Sequence, residues 1–127
     1  MTDARTEDKV DEVRLSLPAL PEYARIVRLT AAGLASRLGF TYDEVEDLRI
    51  AVGEACSHLL GVDGRDGTLV VTYLLGDDLI TIDAEGEFAD ADIEDPSGDL
   101  SAQILEAVVD EHQLHGRRVR LVKRRTA

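Results

Sequence analysis

At 127 residues the chain is long enough for one domain with one real core. Its apolar content is 44% but aromatics are only 4% and Trp is absent, so that core must be aliphatic. A net charge of −12 argues against direct nucleic-acid binding, and a single Cys excludes an intramolecular disulfide and fits a reducing compartment.

Six of the 14 basic residues crowd into residues 117–125, leaving the rest strongly acidic. Complementary fields speed encounter and reject wrong partners, so a basic protein partner suits this surface. The opening stretch MTDARTEDKVDEVR has no apolar signal-peptide core. No apolar run approaches the ~20 residues of a membrane helix. These features predict a cytoplasmic protein.

Residues 1–9 are polar and charged and read as a flexible tail, with one domain over 10–127. Val13, Leu15 and Leu17 alternate, which predicts a strand over 10–17. Pro18 and Pro21 punctuate the chain, and Pro21 suits the first turn of a helix. Tyr23, Ile26, Val27, Thr30, Leu34 and Leu38 form the predicted core stripe of that helix, which Gly39 ends. The short link to the next helix predicts an αα-hairpin.

The next stretch, TYDEVEDLRIAVGEACSHLLG over 41–61, is the most informative. Thr41 and Glu44 form a capping box, and acidic residues load the first turns where the macrodipole favours them. Val45, Leu48, Val52, Ala55 and Leu59 make a core stripe. Asp47, Ala51, Glu54 and His58 stack on a second face of the same helix. That face is either solvated or lines a pocket. A His here is expected to pair with Glu54 one turn away, and Cys56, close to the core stripe, to be a buried inert thiol.

After the turn-rich GVDGRDG, residues 68–75 (TLVVTYLL) and 79–84 (LITIDA) predict two antiparallel strands. Residues 85–99 read as a loop rich in acid, Gly and Pro. Leu100, Ile104, Ala107 and Val108 predict a helix over 100–111, and Val119, Leu121 and Val122 a final strand over 117–124. The basic residues of that strand are expected to guard a sheet edge or to meet acidic residues of a neighbouring subunit. The order predicts an α/β (α+β) two-layer sandwich: a mixed, mostly antiparallel sheet with three helices on one face.

Five segments, in this order and spacing, resemble the anti-sigma-factor serine kinases of the RsbW and SpoIIAB type, in the GHKL ATPase superfamily. They are PEYARIVRLTAAGLASRLGF, EDLRIAVGEACSHLL, LITIDAEGEF, GDLSAQILEAVVDEH and VRLVKRR. The resemblance implies the Bergerat-type fold, Mg-ATP or ADP as cofactor and a homodimer. It implies as partners an alternative sigma factor and a competing anti-anti-sigma protein of the STAS fold. In the family a central-helix Glu-x-x-x-Asn polarises the attacking hydroxyl and holds Mg²⁺. Glu54 matches the Glu, as general base, and His58 stands at the Asn. Imidazole replaces an amide oxygen poorly, since Mg²⁺ prefers hard oxygen ligands.

The family's Asp-x-Gly-x-Gly box falls on DAEGEF. Either Asp83 is the adenine-binding Asp and Glu85 and Glu87 replace the glycines, or Gly86 is the first Gly and Ala84 replaces the Asp. The last box, Gly-x-Gly-Leu, falls on Ser97, Gly98, Asp99 and Leu100. Residues 77–99 carry ten Asp or Glu and no Lys or Arg. An electronegative phosphate end predicts little or no nucleotide binding, and the acidic loop is read as solvated rather than metal-binding. The reading is therefore an anti-sigma factor whose partner surface includes Glu22, Arg25 and Arg28 on the first helix. Two alternatives stay open: an active ATP-dependent serine kinase acting on the anti-anti-sigma protein, and a non-catalytic scaffold or dimerisation module.

Overall fold

A computed structural model describes residues 10–89 and 99–126. Strand β1 (Asp11–Pro18) is followed by a 3-10 turn at Pro21–Tyr23 and helices α1 (Ala24–Arg37) and α2 (Tyr42–Leu60). Strands β2 (Gly67–Leu75) and β3 (Leu79–Phe88), helix α3 (Asp99–Val108) and strands β4 (Glu111–His115) and β5 (Arg118–Arg124) complete the chain. The strands form one sheet in the order β1-β2-β3-β5-β4, and every pairing is antiparallel. The two-layer α+β sandwich expected from the element order is present.

The helices cover one sheet face. Leu69, Val71 and Tyr73 of β2, Ile80, Ile82 and Ala84 of β3, and Val119 and Leu121 of β5 point into the core. From above, Val45, Leu48, Val52, Ala55 and Leu59 of α2 close on them, the stripe read from the sequence. The capping box is formed: the Glu44 amide donates to Thr41 Oγ1 at 3.2 Å, and the Thr41 amide to Glu44 Oε1 at 2.8 Å. Gly39 joins α1 to α2 at φ 89°, a backbone region that side chains with a Cβ rarely enter. Tyr73, fully buried, donates its hydroxyl to the Val27 carbonyl at 2.9 Å and so pins α1 to the sheet.

Four sequence expectations need correcting. The buried face of α1 is Ala24, Val27, Ala31 and Ala35, while Ile26 is 42% exposed. The bulkier residues drew the predicted stripe one step round the helix, but alanines let α1 lie close to its neighbours. Strand β3 runs on to Phe88 instead of ending at Ala84. Its Glu85 and Glu87 point away from the helices, where a carboxylate stays solvated, while Gly86 and Phe88 point in.

Helix α3 ends at Val108, and a strand not read from the sequence, β4, follows at once. Its alternation is short: His112 and Leu114 face the core side opposite Leu121 and Val119. Because β4 exists, β5 is an internal strand between β3 and β4. Its basic residues therefore guard no edge; they make specific pairs instead. No helix of the described residues is long and apolar enough to cross a membrane.

Candidate functional site

The second face of α2 is neither bare to solvent nor left as an open cleft. Helix α3, strand β5 and the β4–β5 turn lie against it, and each of its polar groups has a partner. Lys123, whose side chain is 12% exposed, reaches Asp47 Oδ2 at 3.4 Å and donates to the Val108 carbonyl at 2.8 Å. That lysine ties the start of the face to the C-terminal end of α3, where a cation meets the negative end of the helix.

One turn further on, Ser101 Oγ of α3 donates to Glu54 Oε2 at 2.5 Å. The last polar group, His58, is buried and does not pair with Glu54. Its Nε2 lies 3.1 Å from the Gly116 carbonyl oxygen in the β4–β5 turn. A carbonyl only accepts, so Nε2 carries the proton. That nitrogen has no lone pair to offer Mg²⁺.

Strand β3 turns the acids of the two registers left open by the sequence to the opposite face from Ala84 and Gly86. Asp83 points to the outer sheet face, where Arg118 grips it in a bidentate pair at 2.9 and 2.6 Å and Arg120 stands at 3.8 Å. Ala84, 3% exposed, and Gly86 point toward the helices. The structure thus puts Asp83 on the opposite side of the sheet from Glu54 and His58. The position facing them carries a methyl group.

Gly86 itself is covered. A Cβ there would lie 2.2 Å from the Phe88 ring, so that ring fills the space in front of it. Guanidinium groups of Arg65 and Arg117 flank the ring at 5.9 and 6.0 Å from its centroid. Arg117 also supplies its carbonyl to the Gly86 amide at 2.8 Å.

Of the remaining candidates, Leu100 is 67% exposed at the start of α3 and lines no part of this face, and Gly98 lies outside the described residues. Glu22 and Arg25 are exposed on the 3-10 turn and α1. Arg28 is partly buried and leans across to Gly53 of α2, beside a cavity of about 170 Å³ lined by Pro21, Ala24, Cys56 and Ser57. Burial pushes the Cys56 thiol up to about 11, Arg28 opposing only in part, which keeps it inert near neutral pH.

Sequence reasoning missed Ser101, Lys123 and Arg118. The first two are visible only once α3 and β5 are seen to pack on α2. Arg118 could have been found from alternation along β5, had the strand been read as internal.

No family model matches the chain. Individual proteins do. The Serine-protein kinase RsbW of Bacillus pumilus (strain SAFR-032) is 38% identical over 109 residues, covering 82% of this chain and 67% of the relative. That of Bacillus subtilis (strain 168) is 33% identical over 108 residues, covering 83% of this chain and 68% of the relative. The chain belongs to the RsbW serine-protein kinase family. A third RsbW, from Bacillus licheniformis (strain ATCC 14580), is 36% identical over 105 residues and is covered to 65% of its length. The chain thus spans about two thirds of the length of these RsbW relatives.

Within the RsbW frame the described residues do not fit Mg-ATP. The metal-ligand position offers a protonated ring nitrogen engaged with Gly116, and the base-recognition position offers Ala84. The glycine shelf carries Phe88, and the candidate base is held by Ser101. Among the described residues, Glu54 keeps the chemistry of its expected role.

Proposed function

We propose that this RsbW-family chain is an anti-sigma factor that holds an alternative sigma factor and binds nucleotide weakly or not at all. A STAS-fold anti-anti-sigma protein would release the sigma factor by competing for the same grip. The observation that carries the reading is the orientation of β3. With Asp83 turned to the outer face and Ala84 facing α2, no β3 carboxylate among the described residues faces α2 to accept from an adenine amino group. Sequestration needs shape and charge, not chemistry, so it survives these losses.

The partner surface we favour is the outer side of the α1–α2 hairpin around Glu22, Arg25 and Arg28. Exposed Ile26, Leu29 and Ile50 give that side an apolar centre for the charged residues to rim. For the second copy we favour the outer sheet face. Glu12, Asp83, Glu85 and Glu87 share it with Arg14 and Arg118 around a shallow hollow of about 220 Å³, so two copies can match charge with charge.

The experiment is a pull-down from native extract with the tagged chain, paired with calorimetry against Mg-ATP. A sigma factor among the retained proteins and no nucleotide heat would bear the proposal out. Recovery of nucleic acid or lipid alone would overturn it.

A second reading, a working serine kinase acting on the anti-anti-sigma protein, draws on one observation. Glu54 already accepts from a serine hydroxyl, the contact a general base makes before phosphoryl transfer. Micromolar Mg-ATP affinity, with phosphate transfer to a STAS protein lost in Glu54→Gln, would favour that reading over sequestration. A chain that binds neither sigma factor nor nucleotide yet dimerises would be a scaffold.

A further inference from the structure

The mismatch between the site and Mg-ATP has a positive side: the chain supplies its own occupant. Helix α3 meets α2 at two polar points. One is Lys123, which bridges Asp47 of α2 to the last carbonyl of α3. The other is Ser101, in the first turn of α3, on the Glu54 carboxylate. Leu105, fully buried, fills the interval between them.

At 2.5 Å the Ser101–Glu54 contact sits at the short end for a hydroxyl on a carboxylate, and charge-assisted bonds of this kind are about twice as strong as neutral ones. It is also partly shielded from water, which lessens competition from solvent. The hydroxyl takes one of the acceptor sites of that carboxylate and ties it to α3.

We infer that Ser101 is a positioning residue that locks α3 onto α2 through Glu54. The α2–α3 arrangement is thereby set by the chain itself and does not wait for a nucleotide. This rests on the sequestration reading, in which the grip on a protein partner is constitutive. It assigns Glu54 a mechanical duty in place of a catalytic one. It also explains how a first-turn serine, with no role in the core, is placed within reach of the carboxylate of a neighbouring helix.

Hydrogen exchange on the full chain tests it, read at the amides of residues 101–108 with and without millimolar Mg-ATP. In the wild type these rates should be the same under both conditions. Ser101→Ala should speed them roughly tenfold, the loss expected for one hydrogen bond to a charged group. Ser101→Thr, which keeps the hydroxyl, should restore most of the protection. Adding Glu54→Ala to Ser101→Ala should speed exchange no further, because the pair acts as a unit.

Two results overturn the inference: wild-type rates in Ser101→Ala, or a marked slowing by Mg-ATP in the wild type. Failure of the pull-down with the lock intact would sink sequestration and leave the lock standing. A captured sigma factor with unprotected α3 amides would do the reverse.

Discussion

Two of the glutamates of helix α2, ten residues apart, have met opposite fates. Glu44, at its start, is 8% exposed and accepts three backbone or hydroxyl hydrogens, one of which closes its own cap. The Thr41 amide sits on Oε1, and the Thr126 amide and hydroxyl sit on Oε2 at 2.8 and 2.7 Å. Glu54, toward the other end, accepts from Ser101 among the described residues. Burial by itself would raise the Glu44 pKa, but the hydrogen bonds from Thr41 and Thr126 outweigh it and bring the value from 4.5 to about 2. The first carboxylate is thus a structural clasp joining the chain's C-terminal end to the α1–α2 turn. The second is a functional group whose surroundings have been rewritten. A helix that must present a site can hold one end rigidly and leave the other free to change.

The contrast can be broken most severely from below. Leu48, fully buried one turn past Glu44, anchors the rigid half. Leu48→Ala should cost about 3 kcal/mol, from lost transfer energy plus the cavity left behind, measured by urea unfolding. The clasp comes next. Glu44→Gln removes the charge that Thr41 and Thr126 were placed to meet, and should cost about 2 kcal/mol.

Acid should reproduce that loss in the wild type. Because the folded pKa lies below the unfolded one, the contribution is complete above pH 4.5 and fades as pH falls toward 2. The difference in unfolding free energy between wild type and Glu44→Gln should therefore shrink across that window. A constant offset at every pH would mean that the charge was never the cause.

The rigid half of α2 was legible in the sequence because its signals are local. A capping box and a three-four stripe need no knowledge of what packs above. What escaped was whatever depends on a neighbour. His112 and Leu114 lie four and six residues past Val108, the last clear helical position, in a stretch too short for its alternation to mark a strand. Without β4 the basic residues of β5 seemed to sit at an edge. The Asp83 ambiguity is of the same kind. A one-residue slip sends every side chain of a strand to the other face, and only the pairing of Thr72 with Asp83 and Val71 with Ala84 decides it. The candidate site was legible as a set of substitutions, His58 for an amide and either Ala84 for an acid or Glu85 and Glu87 for glycines. That Ser101 and Phe88 now fill it could not be read before the helices were docked.

A gentler change probes what ties the neighbouring helix, α1, to the sheet. Tyr73→Phe keeps the ring and removes only the hydroxyl that reaches Val27. It should cost about 1 kcal/mol, since the carbonyl left behind belongs to a helix and retains other partners.

The smallest effect is expected at the other glutamate. Glu54→Gln keeps an amide oxygen that can still accept from Ser101, and the residue stands partly in water. Stability should change by less than about 0.5 kcal/mol. If the site is a grip, the affinity for a captured sigma factor should also be unchanged, because Glu54 lies under α3 and away from the exposed side of the α1–α2 hairpin. Titration of the variant against the captured partner, beside a thermal melt, gives both numbers. A large loss of binding with an unchanged melt would mean that the second end of α2 touches the partner directly. The division of labour along the helix would then have to be redrawn.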